Sequence, residues 1–155
     1  MDLRFDEIYA WVLERDERRL DMLWRAADLP RQLYVGDEVH LRGLVELSNI
    51  CRRSCAYCGI AACAPAVERY RMTREEVLEC ADRAKAYGFG TLVLQAGEDP
   101  GLEDPFVAEL LRAIKARTGL AITLSLGERS EEDLLLWREA GADRYLLRFE
   151  TSDED

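Results

Sequence analysis

The sequence predicts an α/β fold in which parallel strands are covered by helices. Three segments, "KAYGFGTLVLQ", "KARTGLAITLS" and "REAGADRYLLR", each run from a helix end through Gly88, Gly119 or Gly141 into a short apolar strand. Glycine suits the left-handed turn that closes a helix. The glycines lie 31 and then 22 residues apart, the size of one helix-plus-strand unit. Repeating units of that kind place successive strands parallel, with their connecting helices packed outside.

The elements follow in order. The N-terminal stretch "FDEIYAWVLERDERRLDMLWRAADLPRQL" reads as one or two amphipathic helices, with Ile8, Val12, Leu20, Leu23 and Trp24 at helical spacing. Residues 1–35 are expected to form this helical segment, and residues 36–155 the α/β domain. The first strand is expected near 43–48, and an irregular loop follows it through "AACAPAVERYR". Thr73, with Glu76 three residues later, is a capping box that opens the helix "TREEVLECADRAKAYG". Further strands are expected near 90–96, 120–126 and 143–150.

Composition narrows the class. A chain of 155 residues with 48% hydrophobic residues can form one compact domain or part of a larger one. No apolar run approaches the roughly 18 residues of a membrane span. The charged N-terminus lacks the apolar core of a signal peptide. A net charge of −10 argues against nonspecific binding to nucleic acid or anionic lipid. Five cysteines without a secretion signal point to reduced thiols in the cytoplasm, where close spacing means metal more often than disulfides.

Side chains alternate along a strand, and the four strands each show one apolar side. Val45 and Leu47, Leu92 and Leu94, Ile122, Leu124 and Leu126, and Tyr145, Leu147 and Phe149 belong under helices. The opposite set would line a common interior holding Glu46, Ser48, Gln95, Thr123, Ser125, Arg144, Arg148 and Glu150. Filled barrels pack their interior mainly with Val, Ile and Leu, and buried charges are costly unless paired or solvated. Two readings are open: an internal Arg–Glu network that only supports the fold, or a cavity that holds a ligand at the carboxyl ends of the strands.

At that same end, "ELSNICRRSCAYCGI" sets Cys51, Cys55 and Cys58 in a C-x₃-C-x₂-C spacing. Thiolates are soft ligands suited to iron–sulfur clusters or zinc. A structural zinc site wants four protein ligands, but His40, the single histidine, lies at the far end of the strand, about 20 Å away. Cys63 follows Cys58 by five residues and could add a fourth thiol. Cys80 falls inside the capped helix and reads as a packing residue. A zinc loop and free buried cysteines stand beside a third reading, a [4Fe–4S] cluster with one iron left open. Four cysteines normally saturate such a cluster, and a vacant coordination position is where a metal centre does chemistry.

The cysteine spacing, with the aromatic Tyr57 just before the last cysteine, resembles the radical S-adenosylmethionine (SAM) enzymes. In that family the open iron is chelated by the amino and carboxylate groups of SAM, and an electron from the cluster breaks the S–C5′ bond to give a 5′-deoxyadenosyl radical. "QAGED" is similar to the family's Gly-Gly-Glu segment, with Ala96 in place of the first glycine. "GLVELSNICRRSCAYCGI", "ERYRMTREEV", "TLVLQAGEDP", "ITLSLGE" and "EAGADRYLLRFET" extend the resemblance over about residues 36–151. They are similar to HydE-type [FeFe]-hydrogenase maturases; biotin synthase and methylornithine synthase share the scaffold.

The resemblance implies Cys51, Cys55 and Cys58 on the cluster and Tyr57 against the adenine. It implies Gly97, Glu98 and Ser125 near the methionine part of SAM, and Arg148 and Glu150 near its carboxylate and ribose. Gln95, Thr123 and Arg144 would surround the substrate, a small molecule or an iron complex. Partners would be other hydrogenase maturation proteins, with no role for nucleic acid or membrane. A complete barrel needs eight strands and about 250 residues. The chain is therefore expected to be the N-terminal half of a radical SAM (β/α) TIM-type barrel, truncated or continued elsewhere. An inactive cluster-binding fragment is the alternative to an enzyme.

Overall fold

The computed structural model describes residues 4–64 and 66–148. The chain divides between Val39 and His40 into two compact units. The first holds α1 (Phe5–Val12) and α2 (Glu17–Tyr34), so the amphipathic stretch is two helices. Asp16 separates them: its carboxylate accepts from the Arg18 and Arg19 amides at 2.9 and 3.4 Å, which caps α2. Neither helix holds a buried residue.

The second unit alternates strand and helix. It runs β1 (Arg42–Ser48), α3 (Arg74–Ala86), β2 (Thr91–Ala96), α4 (Asp104–Thr118), β3 (Ala121–Ser125), α5 (Glu131–Glu139) and β4 (Arg144–Tyr145). The strands form one sheet in the order β1-β2-β3-β4, every pair parallel. This is the α/β architecture that the repeating units predict. Two polar pairs help to start its helices. Thr73 Oγ1 accepts from the Glu76 amide at 3.3 Å while Glu76 Oε2 accepts from the Thr73 amide at 2.7 Å, the expected capping box of α3. Ser130 and Asp133 repeat the arrangement on α5. The helices end on glycines with positive φ: 78° at Gly88, 70° at Gly119 and 114° at Gly141.

The core lies between the sheet's outer face and the helices. Leu92, Leu94, Ile122 and Leu124 are fully buried against Val77 and Ala81 of α3, Leu110, Leu111 and Ile114 of α4, and Trp137 of α5. Each such side chain contributes about 1.5–3 kcal/mol by leaving water. This face fixes the register, because a slip of one residue would turn every leucine to the other side.

Two features depart from the sequence expectation. Among the described residues of the strand expected near 143–150, only Arg144 and Tyr145 are paired, although Leu146 N still donates to Leu124 O at 2.8 Å. A strand needs a ladder partner, and β3 ends at Ser125 before turning at Gly127. Phe149 and Glu150 lie outside the described residues. On the opposite side of the sheet, the edge of β1 is not bare. Residues 68–72 run beside its carboxyl end, with an antiparallel bridge between Ser48 and Arg71 and Met72 N donating to Leu47 O at 2.8 Å. The strap shields part of an edge that would otherwise invite pairing with another chain.

Candidate functional site

The strand register sorts the inward-facing residues into two layers. Glu46, Gln95 and Ser125 lie abreast on β1, β2 and β3, nearest the carboxyl ends of the strands. One step below are Leu44, Val93, Thr123 and Arg144, about 7 Å deeper at two residues per layer. Leu44 is 57% exposed, so this face is open where the helix-covered face is sealed. Gln95 and Thr123, expected together around a substrate, stand in different layers, and Gln95 shares its layer with Ser125. Arg148 is exposed beyond the end of β4.

The cysteine loop leaves β1 directly above the upper layer and is pinned to the loop after β2. Gly97 N donates to Ser48 O at 3.2 Å, and Arg52 N donates to Glu98 O at 3.1 Å. Cys51 Sγ accepts two amide protons at 3.4 Å, from Arg53 within its own loop and from Glu98 across the gap. Gly97 is where the two loops meet. A Cβ there would lie 2.4 Å from Ile50 O and 2.7 Å from Cys51 Cβ. The glycine thus permits close approach to the backbone of the cysteine loop itself.

Charge at this mouth is arranged in two shells. Glu98 Oε2 accepts from Arg52 Nε at 3.2 Å and lies 3.5 Å from Arg53 Nε, while Oε1 accepts from the Glu128 amide at 3.0 Å. Burial pushes the Glu98 carboxyl up, but the Glu128 amide and the Arg53 and Arg52 cations outweigh it and hold it below its ordinary range. Beneath it, Asp99 is buried and accepts from Ser48 Oγ at 2.6 Å, Arg71 Nε at 2.9 Å, Arg71 Nη2 at 2.7 Å and Gly101 N at 2.8 Å. Burial again pushes the acid up, and Arg71, Ser48 and Gly101 more than reverse it. Ser48 Oγ in turn accepts from Ile50 N at 3.1 Å, so the buried acid reaches the start of the cysteine loop through one hydroxyl.

The remaining thiols and rings have plain positions. All five cysteines are free; Cys55 and Cys63 are exposed, and Cys80 packs partly buried against the core. His40 is exposed at the opposite end of β1 from the cysteine loop. Tyr57 is 72% exposed in the cysteine loop. Among the described residues, no three His, Cys, Asp or Glu side chains are drawn together as a ready-made metal site.

A family model described as the radical SAM superfamily matches residues 45–155. The chain belongs to that superfamily. Among curated relatives it is 48% identical over 133 residues to the [FeFe] hydrogenase maturase subunit HydE of Thermotoga maritima, covering 86% of this chain and 38% of that one. It is 33% identical over 153 residues to a biotin synthase of Lysinibacillus sphaericus, covering 96% of this chain and 46% of the other. The solved structure of methylornithine synthase superposes with a TM-score of 0.88 at 31% identity, over 99% of this chain and 46% of that chain. The chain thus spans less than half the length of each of these relatives. The architecture is that of the first four strands of a radical SAM barrel.

Membership in the radical SAM superfamily implies a [4Fe–4S] cluster and SAM in general terms, and the donor set fits them. Three free thiols sit in one loop, and two amide N–H groups already point at the first. Such N–H···S contacts are among the levers that tune cluster sulfur. Sequence reasoning missed Asp99, Arg71 and Arg69. A lone Asp or Arg in a loop carries no spacing signal; only the folded strap brings Arg69 to the backbone flanking the cysteines and Arg71 to Asp99. No helix of the described residues is long and apolar enough to cross a membrane.

Proposed function

We propose that this chain forms the cluster- and SAM-binding half of a radical SAM enzyme that acts in assembly of the diiron subcluster of [FeFe]-hydrogenase. The observation that carries the reading is Cys51 Sγ receiving the Glu98 amide, which joins the cysteine loop to the segment "AGED" at one end of the sheet. Cys51, Cys55 and Cys58 hold a [4Fe–4S] cluster, with Tyr57 against the adenine of SAM. When bound, the cluster supplies the electron that cleaves SAM at its S–C5′ bond.

The chain's own residues bind and orient. Glu98, kept ionised by its amide and arginine partners, offers a carboxylate for the methionine ammonium. Ser125 lies abreast of Gln95 in the layer below the loop, where its hydroxyl serves SAM and the Gln95 amide serves the substrate. Arg148 and Glu150 serve the methionine carboxylate and the ribose. Thr123 and Arg144, one layer deeper, form with Gln95 a substrate pocket with a single cation, suited to an anionic small molecule or iron complex. The 48% identity to HydE supports hydrogenase maturation and, with it, other maturation proteins as partners in the cytoplasm. The fit to methylornithine synthase over nearly the whole chain favours a carbon rearrangement as the second reading.

Anaerobic reconstitution of the full-length protein with iron and sulfide, followed by SAM and dithionite, tests the enzyme. Methionine and 5′-deoxyadenosine are expected, and Cys51→Ala, Cys55→Ala and Cys58→Ala should each abolish both. A cluster that forms without cleaving SAM would leave only a cluster-binding protein. Restoration of hydrogenase activity in a host lacking its HydE-type maturase then separates maturation from the second reading.

A further inference from the structure

The cysteine loop has two ends, and one side chain holds both. Arg69 Nη1 donates to Asn49 O at 2.6 Å and to Ile60 O at 2.8 Å, and its Nη2 donates to Ala61 O at 2.7 Å. Asn49 stands two residues before Cys51, and Ile60 and Ala61 stand two and three residues after Cys58. The guanidinium is a rigid planar fork, so it sets the separation of the segments entering and leaving the cysteines. Arg69 is itself held. Tyr70 N donates to Asn49 Oδ1 and Asn49 Nδ2 to Glu68 O, both at 2.8 Å, which fastens the strap to the same asparagine.

The charge on Arg69 is unusual in its surroundings. Arg52 and Arg53 pair with Glu98, Arg53 also pairs with Glu128, and Arg71 pairs with Asp99. The three acceptors of Arg69 are neutral carbonyls, and among the described residues no carboxylate forms an ion pair with it. A partly buried cation without a counter-charge costs free energy. Three thiolates around a bound cluster leave a net negative charge, and one-electron reduction adds another. Cys51 and Cys58 each lie two residues from a carbonyl that Arg69 binds, at most about 7 Å along the chain. At that range a charge across protein interacts far more strongly than through bulk water.

We propose that Arg69 is the positioning residue of the cluster loop: its fork fixes the loop's two ends, and its charge favours the reduced cluster. The inference rests on the radical SAM reading of the loop. Full-length protein reconstituted anaerobically with iron and sulfide separates the two roles through two variants. Arg69→Lys keeps the charge and removes the fork. It should release cluster iron to a chelator about tenfold faster than wild type while the midpoint potential stays put. Arg69→Gln removes both. It should release iron as fast and also show a midpoint lower by about 59 mV, a tenfold shift for a one-electron couple.

A purely structural arginine would move the melting temperature of both variants without separating their potentials. Wild-type iron release in Arg69→Lys, or a wild-type midpoint in folded Arg69→Gln, overturns the proposal. Should circular dichroism show Arg69→Gln unfolded, iron release from Arg69→Lys decides the fork, and the midpoint of Arg69→Met, which also lacks the charge, decides the charge. Wild-type protein that takes up no iron–sulfur cluster would instead overturn the functional reading on which the proposal stands.

Discussion

The two ends of this sheet are built to different standards. At the β1–β2 end the cysteine loop and the loop after β2 share backbone hydrogen bonds, a glycine without room for a side chain, and a buried carboxylate with four donor contacts. At the β4 end the strand is two residues long, and Arg144, Leu146, Leu147 and Arg148 are exposed. The difference would suit the two tasks proposed for this sheet. A cluster loop must present three thiols in one geometry, so its supports have to be closed and rigid. A pocket for a variable substrate tolerates open, singly held side chains. That division matches a superfamily whose members here carry the names of a maturase and of synthases for two different products.

The sharpest way to break the comparison is Gly97→Val. Its Cβ would fall within van der Waals contact of Ile50 O and Cys51 Cβ, and the backbone oxygen cannot swing aside as a flexible side chain would. Overpacking of this kind costs about 1–3 kcal/mol or more, and here the strain falls on the first cysteine. Cluster iron per chain should drop to background in reconstitution. Gly119→Ala is the control. Gly119 needs its positive φ but meets nothing within 4 Å, so the variant should lose about 1 kcal/mol of stability and keep its cluster. Equal cluster loss in both would mean that the β1–β2 mouth has no special rigidity.

Asp99→Asn comes next. Removing one partner of a fully buried ion pair costs about 3–5 kcal/mol. Arg71 is 39% exposed and recovers water, so we expect about 2 kcal/mol from urea unfolding at neutral pH. The folded carboxyl is depressed, net of burial, by Arg71, Ser48 and Gly101. Its contribution is therefore complete above the unfolded value of about 3.9 and is lost as pH falls through the lower folded value. The gap between wild type and variant should shrink below about pH 4. A gap that holds constant down to pH 2 would mean that the network does not act through its charge.

These positions also mark how far the sequence could be read. Strand order and helix starts follow from local rules, such as glycine at a helix end and Thr73 three residues before Glu76, and local rules are visible in one dimension. The cysteine spacing is local too. The supports of the loop are not. Asp99 lies 51 residues from Ser48, and Arg69 lies 20 from Asn49. Neither pair leaves a periodic trace, because each contact depends on where the strap falls after folding. The length of β4 was equally hidden, since alternation continues through 143–150 whether or not a ladder partner lies alongside.

The smallest expected effect lies at the open end and is the most selective. Arg144→Met removes an exposed cation on β4, in register with Thr123. With no buried partner lost, stability should stay within about 0.5 kcal/mol of wild type. The cluster would be held at the other end of the sheet, and Arg144 is not among the residues proposed to hold SAM, so iron content and reductive SAM cleavage should be unchanged. Substrate turnover should fall at least about tenfold if the side chain makes a charge-assisted hydrogen bond worth roughly 1.5–3 kcal/mol to an anionic substrate. The measurement is the ratio of final product to 5′-deoxyadenosine, which uncoupling would lower. Were SAM cleavage to fall in step with product, Arg144 would belong to the SAM site, and the separation of the two ends would have to be given up.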